Sequence, residues 1–313
     1  MTDVLNIAKK AKLASIDMLQ LSADTKNLAL SMLANNIEKH SSDIIQANQI
    51  DLENAKQLLS EKLISESAYN RLKLDENKLR DMIQGVRDII KLDDPVNKIL
   101  FERNIADGIK LKKISCPIGV IGVIFEARPD VISQISSLAI KSSNAVILKG
   151  GSEAVETNKT IFNIIKGTLN SIDVFPKNAV NLIFSRDDVK VMLEADEYIN
   201  LIIPRGSNSL VKYIKSSTKI PVLGHADGIC HIYIDRDADI NKAISVIIDA
   251  KTQYSAACNA VETILIHKDI AKTIIPKLVE ALKKAEVVVN ADYKTVKIYN
   301  ESGNDAYKIN LIA

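Results

Sequence analysis

Cys258 lies in the run Lys251-Thr252-Gln253-Tyr254-Ser255-Ala256-Ala257-Cys258-Asn259-Ala260, whose small and polar residues leave a sulfur approachable. A cysteine in such a loop suits nucleophilic chemistry, with its own N–H near a reacting carbonyl. An ordinary thiol, pKa about 8.5, is only a few per cent thiolate at neutral pH. Catalysis therefore needs a positive field, from Lys251 or from an aimed backbone N–H. Cys116, just before Pro117, and Cys230, in an apolar run, read instead as small core residues.

Two other segments suit an anion. Ala145-Val146-Ile147-Leu148 runs into Lys149-Gly150-Gly151-Ser152, and Leu201-Ile202-Ile203-Pro204 runs into Arg205-Gly206-Ser207. Each ends an apolar stretch in a basic residue and glycine, then enters a helical pattern. Glycine lets the backbone approach a ligand, while the cation and a helix N-terminus favour negative charge. Neither is a G-x-G-x-x-G or a P-loop, and one such turn alone is most often a plain turn. Two in one sheet point toward a nucleotide.

The elements that would hold these residues follow from periodicity. The first 92 residues read as helices, with Leu28, Leu30, Met32, Leu33 and Ile37 at helical spacing and caps at Asp24-Thr25 and Asp75-Glu76. Asp107-Gly108 between alternating segments predicts a hairpin over 99–115, either a solvated ribbon or one that bridges subunits. From Val120 strand and helix alternate: strands at 120–125, 145–148, 180–184, 199–203, 229–234 and 261–267, helices at 131–141, 157–169, 208–215, 240–250 and 271–284. That order implies an α/β chain with a parallel sheet covered on both faces, its ligands at the carboxyl ends of the strands. A short strand is expected at 287–289, and the pattern is lost after it.

Composition narrows the class. At 313 residues two domains are expected. Lys and Arg (41) nearly cancel Asp and Glu (39), and no basic run argues for nucleic acid. No stretch approaches the length of a membrane span, and Met1 to Lys12 reads as an amphipathic helix rather than a secretory signal. Three scattered cysteines suit a reducing, cytoplasmic setting, and four unclustered histidines argue against a metal site.

Five stretches together resemble the γ-glutamyl-phosphate reductases of the aldehyde dehydrogenase superfamily. They are G-V-I-G-V-I-F-E-A-R-P at 119–129, S-N-A-V-I-L-K-G-G at 143–151, I-P-R-G-S at 203–207, L-G-H-A-D-G-I-C-H-I-Y-I-D at 223–235, and A-K-T-Q-Y-S-A-A-C-N-A-V-E-T at 250–263. The resemblance implies a Rossmann-type NADP-binding domain over 1–225, with an oligomerisation hairpin inserted at 99–115, and an incomplete α/β catalytic domain over 226–313. It implies NADPH-dependent reduction of L-glutamyl 5-phosphate to glutamate 5-semialdehyde in proline synthesis, through a thioester on Cys258 with Asn259 aiding the oxyanion. Lys149, Gly150, Gly151, Ser152, Arg205, Gly206 and Ser207 would hold the cofactor. Arg128, Lys251 and His225 would face the substrate, Arg128 competing with an ion pair to Glu126 or Asp130. A homo-oligomer and glutamate 5-kinase are the implied partners.

The departures are also informative. Oxidative relatives keep a glutamate base near the position of His225, which a reductase does not need. NAD-preferring relatives carry a carboxylate three residues after the lysine matching Lys149; Ser152 stands there, which favours NADPH. Family members run well past residue 313, so a fragment and a natural truncation both stay open. So do an inactive remnant that binds nucleotide or an intact paralogue, and an oxidative aldehyde dehydrogenase.

Overall fold

The computed structural model describes residues 3–126, 128–224, 228–255, 259–303 and 310–311, in two compact units, Met1–Ala226 and Asp227–Ala313. Unit 1 opens with α1 (Val4–Asp17), α2 (Ala23–Lys39), α3 (Ser41–Ser60), α4 (Glu66–Leu72) and α5 (Glu76–Lys91). Ser22, not the expected Asp24, caps α2 by accepting from the Thr25 N–H at 3.1 Å; Asp24 falls inside the first turn. Asp75 caps α5 as expected. Of the helical stripe in α2, Leu30, Leu33 and Ile37 are buried and Leu28 is exposed.

A hairpin follows, β1 (Ile99–Ala106) and β2 (Ile109–Ile114), antiparallel and exposed along its whole length. Gly108 turns it with φ 75°, a left-handed conformation open to glycine at no steric cost. The chain then alternates through β3 (Val120–Phe125), α6 (Val131–Lys141), β4 (Ala145–Lys149), α7 (Val155–Asn170), β5 (Val180–Ile183), α8 (Arg186–Glu194), β6 (Leu201–Arg205) and α9 (Asn208–Ser216). The strands form one parallel sheet in the order β5-β4-β3-β6. Period 2 divides the core between its faces. Val123, Phe125, Val146 and Leu148 pack with the apolar faces of α2, α5, α6 and α7. Ile124, Ala145, Ile147 and Ile202 pack with residues of α1, α8 and α9.

Unit 2 pairs β7 (Cys230–Ile234) in parallel with β8 (Val261–Ile266). Around them stand α10 (Ile240–Thr252), α11 (Ala271–Lys284), β9 (Asn290–Ala291), α12 (Tyr293–Glu301) and β10 (Asn310–Leu311). Residues 287–289, expected as a strand, are not one. Glu286 turns at φ 57° and the Val287 N–H returns to the Leu282 carbonyl at 3.0 Å, so these residues close α11. The segment after 292, expected to be patternless, holds α12, capped by Asp292 and anchored by Tyr299 at 1% exposure.

One buried charge cluster ties unit 1 together. Lys26 is 1% exposed; its Nζ lies 2.6 Å from Asp94 Oδ2 and 3.1 Å from Ser143 Oγ. Burial pushes the Asp94 carboxyl up, but bonds from Lys26 and the Val96 N–H, with the charges of Lys26 and Lys141, outweigh it and hold it below the usual range. With the folded pKa below the unfolded one, the stabilisation is complete above about pH 4 and fades as pH falls through the folded value. Urea midpoints of the wild type should therefore drop more steeply below about pH 4 than those of Asp94→Asn. Equal slopes would remove this linkage.

Candidate active site

Because β5, β4, β3 and β6 are parallel, their carboxyl ends share one edge of unit 1. The register sets Lys149 beside Ile124 and Ile183, and Arg205 beside Phe125. The two basic glycine turns thus flank the end of β3, where Glu126 follows. Glu126 extends the ladder by donating its N–H to the Arg205 carbonyl at 3.2 Å. Its Oε2 accepts from the Ser207 N–H at 3.1 Å, and Ser207 Oγ accepts from the Leu210 N–H to cap α9. A Cβ on Gly206 would stand 2.5 Å from the Glu126 carboxylate, so the glycine makes room for that side chain.

The Lys149 turn is packed from below and covered from above. A Cβ on Gly150 would meet Asn158 Nδ2 at 2.2 Å, so this glycine lets the first turn of α7 close on the strand end. Asn158 is 2% exposed and its Oδ1 is one of two buried side-chain polar atoms, among the described residues, without a hydrogen-bond partner. Such an orphan acceptor beneath a binding turn suits a water or ligand donor. The Glu153 carboxylate folds back over Gly151, within 2.5 Å of where its Cβ would be. A short 3-10 turn at Ser152–Ala154 brings it there. Ser152, three residues after Lys149, brings no carboxylate, as the sequence shows, but Glu153, the fourth, folds one back over the turn. Burial pushes the Lys149 ammonium below the usual lysine range, Glu153 opposing this and Arg186 adding to it.

The N-terminus of α7, expected to face an anion, is already satisfied from inside. Asp51 of α3 accepts from the N–H groups of Glu156 at 3.1 Å and Thr157 at 2.7 Å. Of the two glycine turns, that leaves the one before α9 leading into a helix at the shared edge. Arg128 is exposed and pairs with Asp130 at 3.3 Å, one of the two ion pairs weighed for it. Exposed pairs of this kind are weak, so Asp130 does not tie the guanidinium down.

In unit 2, Lys251 stands in the last turn of α10 and Asn259 in the turn before β8. Cys258 between them, and His225 before β7, lie outside the described residues. Cys230 is half-buried in β7; Cys116, expected in a core, is exposed, because it falls in the connection from β2 to β3. Among the described residues no group of three or more His, Cys, Asp or Glu could hold a metal. No helix among them is long and apolar enough to cross a membrane.

Two cations and the exposed turn at Gly206 and Ser207 share one sheet edge, with the orphan acceptor of Asn158 behind Gly150, a set that suits the phosphates and ribose of a dinucleotide. Residues 1–298 match the aldehyde dehydrogenase family. The gamma-glutamyl phosphate reductase of Brachyspira hyodysenteriae is 59% identical over 299 residues, covering 96% of this chain and 69% of that protein. That of a Nostoc species is 48% identical over 296 residues, covering 95% and 67%. The crystal structure of gamma-glutamyl phosphate reductase from Thermotoga maritima aligns with a TM-score of 0.91 at 34% identity, over 99% of this chain and 73% of that one. Fold, strand-end motifs and close relatives agree: the chain belongs to the aldehyde dehydrogenase family and, within it, to the gamma-glutamyl phosphate reductases.

Proposed function

We propose that this chain reduces L-glutamyl 5-phosphate to L-glutamate 5-semialdehyde and phosphate with NADPH, a step of proline synthesis. Residues 1–225 would bind the cofactor and residues 226–313 carry the nucleophile. The observation that supports this most is the shared edge where the Lys149 and Arg205 turns flank Glu126. Cys258 attacks the acyl carbonyl, and the bond to phosphate breaks with its electron pair leaving on phosphate. The Cys258 N–H and Asn259 meet the oxyanion. Bound NADPH supplies the hydride that reduces the resulting thioester. Collapse of the reduced adduct returns the thiolate and frees the aldehyde. Arg128 and Lys251 serve the substrate's carboxylate or phosphate. His225 leaves the site without the carboxylate base that oxidative relatives use on water.

Run in reverse, NADP reduction by the semialdehyde should require phosphate. Turnover without phosphate would support an oxidative aldehyde dehydrogenase instead. Nucleotide binding with no turnover would support a chain that binds without catalysing.

NADPH over NADH rests on Lys149, whose ammonium suits a 2′-phosphate, while Glu153 beside it works against one. Titration by cofactor fluorescence should find NADPH the tighter ligand, with its margin over NADH wider in Glu153→Gln by about threefold. Preference for NADH in the wild type would overturn this choice.

The same reading includes a homo-oligomer through the β1–β2 ribbon, whose Ile99, Leu100, Phe101, Ile105 and Ile109 are all exposed. It includes glutamate 5-kinase as a partner and a cytoplasmic, reducing setting for the thiol.

A further inference from the structure

The N–H that opens α9 holds an anion supplied by the protein itself. Glu126 reaches it because its backbone is bonded to Arg205 and because Gly206 has no Cβ to block the carboxylate. Glu126, Arg205, Gly206 and Ser207 are all exposed, so this carboxylate lies on the surface that an incoming ligand must meet. A backbone N–H has one proton to give, and a carboxylate and a phosphate oxygen compete for it.

From this geometry we infer that Glu126 is an internal competitor for the dinucleotide's pyrophosphate: its carboxylate holds the Ser207 N–H, and a phosphate oxygen can take that N–H only by displacing it. The inference rests on the cofactor reading above and adds a residue that sets affinity from within the site. Gly206 takes on a second meaning with it. The glycine accommodates whichever anion lies over the turn, the carboxylate in one state and the phosphate in the other.

The test is binding, not turnover. NADPH is titrated by its fluorescence into wild type, Glu126→Gln and Glu126→Asp, and adenosine serves as a competitor that lacks phosphate. Surface carboxylates at a helix N-terminus are worth enough that Glu126→Gln should bind NADPH about fivefold tighter, with the adenosine affinity unchanged. Glu126→Asp keeps the charge but is one methylene shorter, and should also bind NADPH more tightly than wild type. Equal or weaker NADPH binding in both variants would overturn the inference, since a residue that only braces the loop gives that result. A parallel gain for adenosine would overturn it too, because the effect would not be at phosphate. If the wild type and both variants bind neither NADPH nor NADH, the cofactor reading falls and this inference with it.

Discussion

Replacing Cys258 with serine should abolish phosphate-dependent reduction of NADP by glutamate semialdehyde, by at least about 10³-fold in kcat. Cys116→Ser and Cys230→Ser should leave it near the wild-type level. A thiol is partly ionised near neutral pH and strongly nucleophilic, whereas an alcohol needs a positioned base. The family resemblance sets His225, not a carboxylate, where oxidative relatives would keep their base, so a serine at 258 should not be rescued by one. Cys116 sits exposed in unit 1 between β2 and β3, and Cys230 half-buried at the start of β7. Neither stands between Lys251 and Asn259. Incubation with an acyl phosphate in the absence of cofactor should add the acyl mass to the Cys258 peptide alone. Activity surviving in Cys258→Ser would remove the covalent mechanism, and an adduct on another cysteine would relocate it.

The sheet was legible because local pattern and burial agree. β3 and β4 are apolar on both faces, which leaves continuous Val and Ile runs that read directly as buried strands. The expected strand at 199–203 begins two residues later, at Leu201. Ile199 is buried by packing rather than by the ladder, and hydrophobicity cannot tell these apart. α12 escaped because its stripe is thin, although Asp292 before Thr295 is an ordinary cap signal. The cationic half of the site was legible for a similar reason, since Lys149 and Arg205 end strands.

Its anionic half was not. Glu126 meets Ser207 across 81 residues and Asp51 meets Thr157 across 106, and a lone carboxylate in sequence reads as a solvated charge. Glu153 is near in sequence, yet only the tight turn after Gly151 folds it back over that residue. These carboxylates are placed by contacts across the fold or by a single tight turn, so periodicity carries no trace of them.

Asp51→Ala should destabilise unit 1 strongly, costing about 3–5 kcal/mol and lowering Tm by about 10 °C. The first N–H groups of a helix have no partners within it, and Ala154, at the N-cap of α7, offers no side-chain acceptor. Asp51, 3% exposed, supplies the cap from α3 by accepting from Glu156 N–H, Thr157 N–H and, at 2.6 Å, Thr157 Oγ1. Asn48, one turn earlier, reaches the same junction by donating from Nδ2 to Thr157 Oγ1 at 3.3 Å, and it also binds the end of α4, donating to the Leu72 carbonyl and accepting from the Leu74 N–H, both at 2.9 Å. Alanine at 51 leaves two N–H groups and a hydroxyl short of an acceptor in a place water cannot easily reach. Asparagine keeps one acceptor of the same shape but turns an N–H toward other donors, so Asp51→Asn should recover no more than about half of the loss. The damage should reach the site, because the Lys149–Ser152 turn leads directly into the helix that Asp51 holds. NADPH affinity should therefore fall together with stability in Asp51→Ala, whereas Glu126→Gln should raise affinity without lowering Tm. Thermal melts and cofactor titrations on the two variants separate a brace from a competitor. If Asp51→Ala melts within about a degree of wild type, α7 is held by its apolar face alone, and the cap from α3 is incidental.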